Sequence, residues 1–236
     1  MSTYNALADS QQQAIKPILA NAQRAANISF WSTVIFLVLI AALHFIKPEF
    51  EPSWRLLSEY AIGNNGWIMQ VAFFFLSISS FACFFAIRSQ IKSKTGKVGL
   101  WLLFIVGISI IVAGIFVMDP VTAGKDELTT HGSLHGMASM IGVPGLSIAA
   151  MLISFSLAHK NSYWAFVKKP IKLAAYFSLI CLVLMFASVF IGLGKTGGKF
   201  GPDLLVGWAN RLLAVSWCIW LMLIAKNAFR LKKQQS

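Results

Sequence analysis

The chain has 236 residues, 57% of them hydrophobic and 12% charged, with 19 Phe and 8 Trp. That much apolar surface exceeds what one soluble core of this size hides and is the reverse of the signature of disorder, so both classes are excluded. The formal charge of +12 would point to nucleic acid in a soluble chain, but in a membrane chain basic residues are first a matter of topology.

Residues 1–27 are polar and Gln-rich, carry Pro17, and lead straight into a full-length apolar run, so a retained N-terminal segment is expected rather than a cleaved signal. Within 14–26, Ile15, Ile18, Leu19 and Ala22 fall at helical spacing, the pattern of an amphipathic interfacial helix or of a solvated lead-in. A helix needs about 20 apolar residues to cross a ~30 Å hydrocarbon layer. Six stretches qualify: 28–46, 67–87, 98–118, 135–157, 173–193 and 204–224. Only the sixth contains a full charge, Arg211. Pro144, between Gly142 and Gly145, is expected to kink or loosen the fourth. The predicted fold is therefore an all-α bundle: an N-terminal segment 1–27, a six-helix domain 28–225 and a basic tail 226–236. Cys83, Cys181 and Cys218 lie singly in apolar runs, so no disulfide framework is expected.

Fourteen of the 20 Lys and Arg residues fall on the side of the amino terminus. The other side holds Lys47, Arg55, Lys125, Lys195, Lys199 and Arg211, with every acid except Asp9. The positive-inside rule then predicts both termini in the cytoplasm and an inner (plasma) membrane location, and it accounts for the basic residues without a nucleic-acid partner. Membrane lipids are the expected partners, with the inner loops facing an anionic leaflet.

The polar residues of interest gather at one level, near the outer boundary. His44 ends the first span, and Ser58 and Glu59 lie in the first outer loop. Asp119 closes the third span, and His131 and His135 open the fourth on one helix face. Asn210 and Arg211 lie early in the sixth, the arginine about 10 Å along the helix from its outer end. A cation inside a span costs about 2.5–3.5 kcal/mol on insertion scales, so Arg211 needs a partner, for which Asp119, Glu59 and Asp203 are the available carboxylates. It either holds helices together or anchors an anion. Gly132 and Gly136 form a small-residue stripe suited to close helix packing.

The same residues resemble an uncharacterised group of bacterial six-span proteins, the domain of unknown function 998 family. The stretches that carry the resemblance are Leu57, Ser58, Glu59, Tyr60, Ala61, Ile62 and Gly63; Gly66, Trp67, Ile68 and Met69; Gly114, Ile115 and Phe116 with Asp119; Thr129 with Gly132 and His135; and Arg211 with Leu212. The chain departs from the family pattern at Val117, where Pro is expected, and at His131. The resemblance implies an architecture and a shared site at Ser58, Glu59, Asp119, His135 and Arg211, and it implies no activity.

Two functional readings follow. In the first, an outward-facing pocket binds a lipid head group or small anionic ligand through Arg211, Asn210, Asp119 and Glu59. In the second, the protein is an intramembrane hydrolase in which His131, His135 and Asp119 hold zinc, with Glu59 or a metal-bound water as base. A variant of it makes Ser58 the nucleophile and His135 its base. Proton-coupled transport through Glu59, Asp119 and His135 ranks below these, because the inner halves of the spans carry almost no ionisable groups. A b-type haem would need His44 with His131 or His135 as axial ligands and is disfavoured, since no second histidine pair exists.

Overall fold

A computed structural model describes the backbone of residues 2–160 and 162–230 and the side chains of residues 20–159 and 164–230. Its six long helices are α1 (Ser2–Ile46), α2 (Trp67–Ile87), α3 (Lys94–Ile115), α4 (Thr130–Lys160), α5 (Lys168–Lys195) and α6 (Val206–Arg230). Three short 3-10 turns join them, and no strand occurs among the described residues. Each helix contains an apolar segment of membrane-crossing length, so the protein is a multi-pass, all-α membrane protein.

The helices outrun the predicted apolar runs at most ends, because Lys, Arg and Gln continue a helix past the hydrocarbon layer as well as apolar residues do. The predicted interfacial segment 14–26 runs on into α1 as one helix; the side chains of 14–19, and the tail beyond 230, lie outside the described residues. Helix α3 ends three residues before its predicted limit, since Phe116 turns to extended backbone. Helix α4 starts earlier than predicted, where the Thr129 hydroxyl accepts from Gly132 N at 3.0 Å as an N-cap. It then passes through Pro144 unbroken.

Consecutive helices are neighbours and α6 closes on α1, so chain order is the order around the ring. Small residues permit the closest approaches. Gly99 faces Leu152 and Ile153 of α4, and Gly107 faces the ring of Phe81 on α2, each leaving no space for a Cβ. Buried serines tie the interior. The Trp217 indole N–H donates to Ser147 Oγ at 2.9 Å, and Ser147 Oγ pairs with Ser178 Oγ at 2.8 Å, joining α4, α5 and α6. The Trp220 N–H likewise donates to Ser154 Oγ at 2.8 Å.

Both chain ends leave on one face, where Gln23 Nε2 donates to the Phe229 carbonyl at 3.1 Å. We call this the terminal face, and the other the acidic face. Helix α5 is packed unevenly: its buried residues run from Ile171 to Met185, and none follows in the two to three turns nearest the acidic face.

Candidate functional site

The loop from Lys47 to Gly66 tucks into the mouth of the ring on the acidic face. Its turn Leu57–Ala61 buries Leu57, Glu59, Tyr60 and Ala61. Buried Lys47 holds the turn's end, donating to the Tyr60 carbonyl at 3.2 Å and to the Ile62 carbonyl. Burial pushes this ammonium below its ordinary value of 10.5, opposed by Glu49 at 3.8 Å. The loop also lies on the start of α6: Trp208 N donates to the Ser53 carbonyl at 3.2 Å. A Cβ on Gly207 would strike the Pro52 carbonyl, so glycine is what lets the loop settle there.

Arg211 is 7% exposed and has no carboxylate within ion-pair distance. Its Nε donates to His44 Nε2 at 2.8 Å, Nη1 to the Arg55 carbonyl at 2.7 Å and the Gly207 carbonyl at 3.1 Å, and Nη2 to Tyr60 Oη at 3.0 Å. Four of its five N–H donors are thus taken by neutral acceptors. The expected carboxylate partner is absent: none of Asp119, Glu59 and Asp203 forms an ion pair with it, and Glu59 and Asp119 are committed to other donors. His44 completes the cage. Its Nδ1 faces the Ile40 carbonyl at 2.8 Å, so Nδ1–H donates and Nε2 is left as the acceptor for Arg211.

Glu59 is fully buried and saturated. It accepts from Arg55 Nη1 at 2.6 Å, Leu56 N at 2.9 Å and Val121 N at 3.1 Å. The last bond ties the first acidic-face loop to the second. Asp119 accepts from Thr129 N at 2.9 Å and from Thr129 Oγ1 at 2.8 Å, bracing the start of α4. His135 is 3% exposed, with Nδ1 at 3.0 Å from the Ala113 carbonyl and 2.9 Å from the Phe116 carbonyl. It therefore satisfies the last carbonyls of α3, which no helical N–H reaches. Gly132 and Gly136 do not form a helix-packing stripe: Gly132 makes room for the Asp119 carboxylate, and nothing stands within 4 Å of a Cβ on Gly136.

These positions revise the chemistry expected of the site. His131 is exposed against Phe116, and His135 points its Nδ1 at carbonyls. Among the described residues no three His, Cys, Asp or Glu side chains are placed to hold a metal ion. The zinc set His131, His135 and Asp119 is thus not assembled. Both ring nitrogens of His44 are engaged, which removes it as a haem ligand. Ser58 makes no hydrogen bond to His135, and Glu59, Asp119 and His135 make none to one another, so neither the serine nucleophile nor the proton relay is assembled.

What the structure does bring together is a partly open cavity of about 70 Å³ beside the Leu57–Ala61 turn. Its polar lining is uncharged: Ser58, Ser109, Ser139 and Asn210. Asn210 Oδ1 accepts from Leu57 N at 3.0 Å, fixing the turn beside the cavity. Ser109 Oγ donates to the Val106 carbonyl at 2.9 Å. Ser58 and Ser139 have no hydrogen-bond partner among the described residues. The walls are Phe36, Phe73, Leu76 and Trp217, and the Trp217 indole N–H is held by Ser147, which in turn meets Ser178.

Sequence reasoning singled out Ser58 and Asn210 but missed Ser109 and Ser139. A serine in an apolar run is an ordinary residue, and only azimuth around the helix distinguishes one that faces a cavity. Tyr60 and Arg55, which cage Arg211 and pair with Glu59, stand in or beside the motif that carried the family resemblance.

Compared with known proteins, the model of the family described as "Protein of unknown function (DUF998)" matches residues 31–226, from within α1 to within α6. The chain belongs to that family. No curated protein and no solved structure matches it.

Proposed function

We propose that this protein binds a membrane lipid, and that the lipid places a small uncharged hydrogen-bonding group, of the kind found in a glycerol ester or an alcohol, against Ser58, Ser139 and Asn210. The observation that carries the reading is the pair of unpartnered hydroxyls on a largely apolar cavity. Both serines are half-buried, so their hydroxyls are accessible from the cavity, and a ligand or water there supplies the hydrogen bonds that the protein does not. The space of about 70 Å³ holds roughly five waters, or one small polar group with the start of a chain. Phe36, Phe73, Leu76 and Trp217 suit that chain.

The lining also sets the charge of the ligand. It holds no ionised side chain, and Arg211 spends its donors on neutral acceptors, so an anionic head group gains nothing in the cavity. Arg211 and Glu59 enter as positioning residues, holding the Leu57–Ala61 turn that flanks it. The bare last turns of α5 favour entry sideways from the bilayer, between α4 and α5 above the Ser147–Ser178 pair. The distribution of basic residues supports placing the cavity in the outer half of a bacterial inner membrane.

Native mass spectrometry of the detergent-purified full chain tests the reading. In Ser139→Phe, which fills the cavity, the occupancy of copurified lipid falls, while the melting temperature stays at or above that of the parent. Ser58→Ala weakens retention about fivefold, as one lost hydrogen bond implies. An unchanged lipid complement in both variants rejects the proposal.

A further inference from the structure

The terminal face carries a second feature, independent of the cavity and on the opposite side of the ring. A groove of about 540 Å³ runs between the first turns of the α1 span and the end of α2. Arg24 and Arg88 stand at its mouth, and Ile28, Ile78, Phe81 and Phe85 line its depth. Both arginines are exposed. Neither guanidinium has a hydrogen bond or an ion pair among the described residues. The Arg88 guanidinium sits 5.2 Å over the Phe85 ring, which keeps it at the rim. No acid lines the groove, while Asn21 and Ser89 add neutral donors at the same level.

Position along the helices decides what fits. Arg24 lies in the first turns of the segment Ala20–Ile46, and Arg88 directly follows Trp67–Ile87. Both charges therefore lie where the hydrocarbon layer gives way to the lipid phosphates. Ile78 stands ten residues before Arg88, about 15 Å deeper along the helix, so the apolar wall descends from the cations as an acyl chain descends from its phosphate. Arginine favours phosphate oxygens through its planar fork. A zwitterionic lipid brings a quaternary ammonium beside its phosphate, which two unpaired guanidiniums repel, so a head group with net negative charge complements them better.

We infer that the groove between α1 and α2 is a binding site for an anionic phospholipid, with Arg24 and Arg88 on its phosphate and Ile28, Ile78, Phe81 and Phe85 along one acyl chain.

The test titrates the full-length protein in detergent with dioleoylphosphatidylglycerol or dioleoylphosphatidylcholine and reads bound adducts by native mass spectrometry and the melting temperature by fluorescence. Phosphatidylglycerol should bind in preference to phosphatidylcholine and raise the melting temperature further. In Arg24→Gln/Arg88→Gln its affinity should fall roughly 30-fold, about fivefold for each cation. Lys94→Gln/Lys97→Gln removes as much charge from the same face outside the groove and should leave that affinity within about twofold of the parent. Equal binding of the two lipids, or an Arg24→Gln/Arg88→Gln variant that binds phosphatidylglycerol as the parent does, overturns the inference. So does an equal thermal shift from inorganic phosphate alone, which would reduce the site to a simple anion contact. None of these results depends on the central cavity, which the lipid complement of Ser139→Phe tests separately.

Discussion

At the scale of single residues, the ionisable groups on the acidic face hold one another's backbone in place. A cation in a low-dielectric setting is tolerated when its N–H groups meet good acceptors, and carbonyl, phenol and imidazole acceptors serve Arg211 without a carboxylate. Asp119 works in the same spirit. Its carboxylate braces the start of α4, and a Cβ on Gly132 would overlap that carboxylate. Asp119→Ala should cost about 1–2 kcal/mol of stability, the range of a lost helix cap. Gly132→Ala should cost a similar amount in the parent. It should cost less in the Asp119→Ala background, where the carboxylate is gone although the backbone nitrogen of residue 119, 2.9 Å from the added Cβ, still crowds it. Denaturant titration of the four proteins in detergent reads the coupling, expected at about 1 kcal/mol. Simple additivity would mean that Asp119 and Gly132 do not meet. The types of residue at this site were legible in the sequence, since Arg211, Glu59, Asp119 and His135 all stood out against apolar surroundings. Their pairings were not. Position along a span fixes a residue's depth to within a turn, but its direction around the helix is set by packing. Asp119 and Arg211 share a level and face different neighbours.

At the scale of elements, hydropathy places the spans and small polar pairs place their faces. All six predicted spans are helices because a backbone in lipid has to satisfy its own N–H and C=O groups. Order around the ring was hidden from the sequence, since every span has several apolar faces and α3, α4 and α5 carry no dominant stripe. The contacts that resolve it are buried serines and glycines, which hydropathy counts as nearly neutral. Trp217 illustrates their worth. Its indole N–H has Ser147 Oγ as its acceptor, and Ser147 in turn meets Ser178. Ser147→Ala orphans the indole and should cost about 1–2 kcal/mol. Ser178→Ala leaves the indole bond intact and should cost less. Thermal unfolding of the two variants side by side makes the comparison, and an equal loss would show that the indole bond contributes little. Trp217 also walls the cavity, so a loosened indole in Ser147→Ala should release bound lipid as well.

At the scale of the whole molecule, the two proposed lipid sites differ in chemistry because they lie on opposite faces of one asymmetric ring. On the acidic face Arg211, Glu59 and Asp119 are engaged within the protein beside an uncharged cavity; the terminal face leaves Arg24 and Arg88 unpaired above an apolar groove. That contrast has a functional sense only in one orientation, with the basic face toward the anionic cytoplasmic leaflet. Cysteine labelling decides the orientation cleanly, because the native Cys83, Cys181 and Cys218 are all buried and leave little background. Asn64, in the loop beside the cavity, and Lys97, at the terminal-face end of α3, are both exposed. In intact cells a membrane-impermeant maleimide should label Asn64→Cys and spare Lys97→Cys, and lysis should make both reactive. The reverse pattern would turn the bundle over. The cavity would then open toward the cytoplasmic half of the bilayer, and the paired arginines would face a leaflet whose lipids do not require them.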